Sequence, residues 1–306
     1  MIKSITVTNP RGESLEMVLT NPEKSGFVIA NITGLEPPQA TINSTELSVG
    51  DGSIFNSARA NTRNIVLTIG FLPNPTIEHS RQKLYKYFPI KNKVRLTITT
   101  DIKTCYIDGY VETNEAEIFA QQTATQISII CPDPALRNII GDETIFSGTT
   151  DVFEFPMEND GVEFVIEDPM EFSILHLDDI VNVPYSGEID TGCKFVIDIL
   201  DPISNLRIWD YYGAGDIKIN IAKVSQVIGA TVDTGDQIII STIPGQKEIV
   251  CIHNGQSYNI LNCINKDALW IQLTMGNNVI CYALDDPSTR FNLQMRIENP
   301  VLLQGV

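Results

Sequence analysis

Short β-branched runs, cut by turn residues, recur along the whole chain, and that pattern most constrains the fold. In the first half Ile2–Thr8, Leu15–Leu19, Gly26–Ile32, Asn64–Phe71, Val94–Thr99, Cys105–Val111 and Gln126–Cys131 read as strands. One segment breaks the pattern. Asn74-Pro75 supplies an N-cap residue followed by proline at the first helical position. Ile77, Arg81, Leu84 and Phe88 then fall on one face, and Pro89 stops the run. The spacing predicts a single helix over 75–88. Between strands lies a polar stretch from Gly50 to Asn64, carrying Arg59 and Arg63. It reads as a hairpin tip or a long arm, and structureless loops of this length often carry function.

The second half is also β. Val162–Ile166, Phe172–Leu175, Cys193–Leu200, Leu206–Trp209, Ile217–Ala222, Gln237–Thr242, Glu248–Ile252, Leu269–Leu273, Val279–Ala283 and Phe291–Ile297 are expected strands. Their spacing suits an antiparallel sandwich. Ile243-Pro244-Gly245-Gln246 has proline and glycine where a type II turn requires them, so Gln237–Ile252 is expected to be a hairpin. Pro132 and Pro134 break the last strand of the first half. A length of 306 residues suits two domains, and the break divides them into 1–136 and 137–306.

The formal charge of −17 is not shared between the halves. Residues 1–140 hold 13 basic and 13 acidic residues, while 141–306 hold 8 and 25. Between Arg137 and Lys194 no basic residue occurs, against 14 acidic ones. The sign argues against nucleic acid, whose binders present a basic face. No apolar run is long enough to span a bilayer, and the first residues alternate like a strand instead of forming a signal peptide. Neither membrane insertion nor a nucleic-acid contact is expected.

Residues with catalytic chemistry are scattered. There is no dinucleotide fingerprint, P-loop, HExxH or GxSxG. Cys105, Cys131, Cys193, Cys251, Cys263 and Cys281 form no CxxC pair, and reduced structural thiols fit a protein made in a cytosol. His79, His176 and His253 stand apart. Adjacent carboxylates occur, as at Glu167-Asp168, Asp178-Asp179 and Asp285-Asp286, but among 38 acidic residues such pairs arise by chance. Asp178-Asp179 and Asp233-Thr234-Gly235-Asp236 are the best calcium candidates, but neither has EF-hand spacing. Trp209-Asp210-Tyr211-Tyr212 is the densest aromatic cluster, readable as a sugar or partner contact or as core filling.

Several ordered stretches carry a family resemblance. They are Gly26-Phe27 with Gly34-Leu35, Pro37-Pro38-Gln39-Ala40, Gly50-Asp51-Gly52, Arg63-Asn64-Ile65, and Ile77-Glu78 with Arg81, Leu84-Tyr85 and Tyr87-Phe88. Ile107 to Glu112 and Ile127 to Pro134 complete the series. Over most of residues 1–136 the chain resembles the distal tail proteins of siphovirus-type bacteriophages. Tyr185-Ser186-Gly187, Thr234 to Ile240, and Trp270 to Leu273 with Gly276-Asn277-Asn278 are more weakly similar to that family's carboxy-terminal domain.

The resemblance implies a mainly β fold: a β-sandwich-like ring domain with one α-helix and a projecting arm, then a galectin-like antiparallel β-sandwich. It implies a non-enzymatic structural role at the virion tail tip, without a cofactor or metal, after assembly in the host cytoplasm. The implied partners are five further copies in a homohexameric ring, the tail tube protein, the tail-associated hub protein, and a receptor-binding or tail-fibre protein. Asp51, Phe55, Arg59 and Arg63 are the arm residues this reading assigns to ring contacts. Trp209, Tyr211 and Tyr212 mark the alternative, a carbohydrate-binding adhesin module.

Overall fold

A computed structural model describes residues 1–116, 124–139, 141–145, 147–151, 173–177, 180–213 and 215–306. The chain forms two compact units, Met1–Ile140 with Leu302–Val306, and Gly141–Val301. The division drawn at the proline break gives every residue after 136 to the second domain. In the structure the last five residues instead pack in the first unit, where Leu302–Leu303 pairs antiparallel with Leu136–Asn138.

The first unit is built on one nine-stranded antiparallel sheet. Its main path runs Ser14–Val18, Ile2–Thr8, Lys93–Thr100, Thr104–Ala116, Ala124–Cys131, Arg63–Phe71, Phe27–Thr33. Alternation explains the burial. In Arg63–Phe71 the side chains of Ile65, Leu67, Ile69 and Phe71 are buried while Asn64, Val66 and Thr68 face outward. Ile5, Val7, Leu96, Ile98, Ile127 and Ile129 complete the same core.

The helix spans Ile77–Tyr87. Its cap is Thr76, not Asn74: the Thr76 hydroxyl accepts from the His79 amide at 3.2 Å. A hydroxyl one residue before the first helical turn reaches the third amide, which Asn74 is too far upstream to do. The helix buries Ser80 and Leu84, with Phe88 buried just beyond, while Arg81 pairs with Glu78. A single turn, Pro22–Ser25, is a second short helix closed by Gly26.

The second unit is an antiparallel sandwich. A six-stranded sheet contains Asp142–Ile145, Leu293–Asn299, Lys194–Ile199, Gln237–Ser241, Glu248–His253 and Gln256–Asn259. A four-stranded sheet contains Ile180–Tyr185, Gly276–Leu284, Leu206–Asp210 and Asp216–Ile219. Phe195, Ile238, Ile240, Ile249 and Met295 from the first meet Val183, Ile208, Ile217, Ile219 and Tyr282 from the second in one core. The expected hairpin is present, with Gln237↔Ile252 in register and the Gln246 amide donating to the Ile243 carbonyl across the turn.

Ile217–Ala222, read as one strand, divides into the strand Asp216–Ile219 and a helix, Ile221–Ile228. Asn220 caps it, its side chain accepting from the Lys223 amide, and Gly229 closes it in the left-handed region. Leu269–Leu273 makes only isolated bridges, Leu269 to Asp216 and Leu273 to Thr191. The expected strand Val162–Ile166 and the pairs Glu167-Asp168 and Asp178-Asp179 lie outside the described residues. The fold class is mainly β, antiparallel in every described pairing.

A candidate assembly surface on an exposed arm

Between Phe27–Thr33 and Arg63–Phe71 the chain leaves the sheet as a hairpin. Ala40–Glu46 pairs with Ser53–Ala60, and these two strands form a sheet of their own. Apart from Thr41 every residue of both strands is exposed. Ile42 is 66% exposed, Phe55 64% and Ile54 56%, and Val49 at the tip is 90% exposed. An isolated two-stranded ribbon with no buried face is marginal in water. Within the stretch Gly50–Asn64, read as a hairpin tip or a long arm, residues 50–60 form the tip and the returning strand of the arm, and the strand that leads out to it is Ala40–Glu46.

The arm has two unlike faces. Paired residues share a face, and so do residues two apart on one strand. Ala40↔Ala60, Ile42↔Ala58 and Ser44↔Phe55 set a largely apolar face, which ends at Glu46↔Ser53 towards the tip. Phe55 and Ala58 are three residues apart, a spacing that in a regular strand gives opposite faces. A bulge between Asn43 and Ser44, opposite the extra residue Asn56, restores them to one side. The other face holds Thr41, Asn43, Thr45, Ser57 and Arg59, with Ile54 opposite Thr45, and is stitched by side chains. Asn43 donates to Ser57 at 3.0 Å, and Asn56 donates to Thr45 at 2.7 Å.

The root of the arm is rigid. Arg63 is 3% exposed, and its guanidinium donates to four backbone carbonyls. Nε reaches Pro134 at 2.8 Å, Nη1 reaches Gly34 and Glu36, both at 2.8 Å, and Nη2 reaches Gln304 at 2.6 Å. Burial pulls its pKa below the usual arginine value. Gly34 has φ +85°, and a Cβ there would lie 2.0 Å from the Asn64 carbonyl oxygen, so only glycine fits. The Val306 amide donates to the Leu35 carbonyl, closing the same corner.

The four arm residues thus separate. Phe55 lies on the apolar face, Arg59 on the polar face and Asp51 in the turn at the tip. Arg63 is outside the arm, buried beneath it, because its guanidinium is spent on the root carbonyls. The apolar face itself, with Ile42 and the alanines, escapes a sequence reading because its parity depends on the bulge.

In the second unit Trp209 is half-buried on Leu206–Asp210. The Arg207 guanidinium sits 5.0 Å from its ring centre and is paired with Asp216 at 2.8 Å. Tyr211 and Tyr212 follow in the turn, 62% and 76% exposed and edge-to-face at 5.5 Å. Neither tyrosine fills the core.

The polar candidates are internally satisfied. Asp236 is 5% exposed; one oxygen meets His253 Nδ1 at 2.7 Å and the other accepts from the Asp233 amide. Asp285 accepts from Asn205 and Lys218, which hold its carboxyl below its usual range. Asp286 caps the turn beginning at Pro287. His79 is exposed on the helix, and His176 lies on Ser173–Leu177. Among the described residues no group of three or more His, Cys, Asp or Glu is placed to hold a metal ion. All six cysteines are free and buried.

No protein-family model matches the chain, and no curated relative does. Solved structures do. Two of the phage p2 baseplate in its activated conformation, with Sr and with Ca, match at TM-score 0.47 and 11% identity; they cover 97% of both chains and 98% of both chains respectively. The crystal structure of the SPP1 Dit protein, a paradigm of the hub adsorption apparatus in Gram-positive infecting phages, matches at TM-score 0.63 and 10% identity. That match covers 97% of this chain and 98% of that one, so both units are included. From end to end, the chain carries the fold of the SPP1 Dit hub protein.

Proposed function

We propose that this chain is a structural, non-enzymatic component of a phage or phage-derived tail tip. It forms a hexameric ring that joins the tail tube to the tail-associated hub protein, and its acidic second unit docks peripheral receptor-binding proteins. The whole-length likeness to the SPP1 Dit fold carries this reading. The arm supports it independently: an apolar ribbon face left in water asks for a protein surface. A neutral first unit lets copies pack closely, while a second unit near −17 favours the periphery.

Mass measurement of the purified chain tests the proposal, with neighbouring tail proteins added where it does not close alone. The expected result is a species near six times 33.9 kDa, seen as a ring by electron microscopy. A chain that stays monomeric at high concentration with those proteins present overturns it.

The exposure of Tyr211 and Tyr212 favours a second reading, an adhesin that stacks on sugar rings. It requires glycan-array binding that is lost in Tyr212→Ala. Trp209 contributes less to such a site, since Arg207 already lies against its ring.

A further inference from the structure

A ring of like copies needs two different surfaces on each copy, one for each neighbour. The arm is one. The first unit has a second uncovered apolar feature, where the turn from Thr100 to Thr104 meets Asn138 and Ile139. Together they line an open groove of about 530 Å³. Ile102 at the head of that turn is 95% exposed, and Ile139 on the opposite wall is 54% exposed. The turn is held in place. The Thr100 amide donates to the Lys103 carbonyl at 2.9 Å, and the Thr100 hydroxyl accepts from the amides of Ile102 and Lys103. The Ile139 amide donates to the Thr104 carbonyl, fixing the other wall. Ile102 and Ile139 thus face one groove as two preordered apolar side chains left in water.

The charges at this groove are already engaged. Asp101 pairs with the amino terminus and with Lys3, and the Lys103 ammonium donates to the Gly305 carbonyl at 3.0 Å. With those charges taken up within the copy, the groove offers a partner Ile102 and Ile139 among neutral polar groups. This matches the apolar strip of Ala40, Ile42, Phe55, Ala58 and Ala60 on the arm, where the charged Glu46 lies at the tip end of the strip, opposite Ser53. The charged Arg59 lies on the arm's other face. We infer that the groove between Ile102 and Ile139 receives Phe55 from the arm of a second copy of this chain. This rests on the ring reading above and names its acceptor surface.

Two variants, each altering an exposed side chain, test the contact by mixing. Phe55→Asp spoils the arm and keeps the groove; Ile102→Asp spoils the groove and keeps the arm. Each alone is expected to be monomeric by native mass spectrometry, with an unchanged thermal midpoint. Mixed, they retain one intact contact per pair, so heterodimers appear and rings do not. If Ile102→Asp still closes rings while Phe55→Asp does not, the acceptor is overturned and the arm's part in the ring stands. If both close rings, the arm–groove contact is overturned while the ring reading stands.

A crosslink reads the same contact where rings do not form. Phe55→Cys mixed with Ile102→Cys under mild oxidation is expected to give at least tenfold more heterodimer than Phe55→Cys mixed with Tyr211→Cys. The native thiols are buried and do not compete. Equal yields overturn the contact.

Discussion

Arg63 shows how one residue sets the geometry of the arm. Four carbonyls from Gly34, Glu36, Pro134 and Gln304 converge on one guanidinium, and Arg63 itself is 3% exposed. Arg63→Ala removes the donors and strands four acceptors. The expected loss is about 3–5 kcal/mol of unfolding free energy, the range for breaking a buried charged interaction. Lysine, with a point charge in place of a planar fork, is expected to recover less than half of it. Chemical denaturation of the three proteins checks both values. The cysteines give a residue-scale pH dependence. Burial pushes Cys131 and Cys193 up to about 12 and Cys251 to about 11, from a usual 9.0. Below pH 9 these thiols are protonated folded and unfolded, so they make stability no function of pH. Above pH 9 the unfolded chain loses protons that the folded chain keeps. Stability then falls by up to about 1.4 kcal/mol per pH unit for each such thiol, until the folded value is reached. Unfolding curves at pH 8, 9.5 and 10.5 measure this, and replacing Cys193 by Ala removes one share of the slope.

At the scale of elements, the bulge opposite Asn56 makes the arm amphipathic, and it can be edited. Inserting one serine between Asn43 and Ser44 pairs the extra residue and restores a regular ladder. Ser44 and Phe55 then turn together to the face opposite Ile42. Deleting Asn56 also removes the bulge, yet leaves Phe55 paired with Ser44 and beside Ile42. Insertion is therefore expected to abolish self-association as fully as Phe55→Asp, while deletion preserves it. Sedimentation velocity of the two variants separates the outcomes. Much of the rest was legible in the sequence, and where it was not the causes are physical. Ile2–Thr8 was readable to the residue because its alternate side chains build the core. Ala40–Glu46 was missed because neither of its faces is buried by its own chain, so no apolar alternation marks it. Ile221–Ile228 was hidden by its β-branched residues, although Asn220 before it and Gly229 after it are the cap signals that could have found it. For the assembly surface, the arm's place was visible as a polar interruption between strands. Its apolar face was not, because a bulge decides it. The groove was not either, since Ile102 and Ile139 come together only through the pairing of Leu136–Asn138 with Thr104–Ala116.

For the whole molecule, the return of Leu302–Val306 changes what the charge imbalance implies. Arg137↔Leu302 and Leu136↔Leu303 are neighbours in one ladder, so the acidic unit is inserted into what is otherwise a hairpin of the first unit. Both of its connections leave from that hairpin, and a short loop can span the gap in its place. Replacing residues 140–301 by Asn-Gly keeps Ile139 and leaves a four-residue loop between the paired Arg137 and Leu302, and is therefore expected to leave the first unit folded with Arg63 still bonded to Gln304. That shortened chain separates two contributions to assembly. In the proposed ring of the full chain, six copies each near −17 repel one another, and salt screens that repulsion over about 8 Å at physiological strength and over longer distances below it. The arm contact is apolar and nearly indifferent to sodium chloride. Raising salt from about 20 mM to about 300 mM, which shortens the screening length severalfold, should then strengthen ring formation by the full chain severalfold. Ring formation by the shortened chain should barely change. If salt instead dissolves the full-chain ring, ion pairs between first units hold it together and the apolar arm is secondary. If salt acts equally on both chains, the acidic unit is not the source of the repulsion.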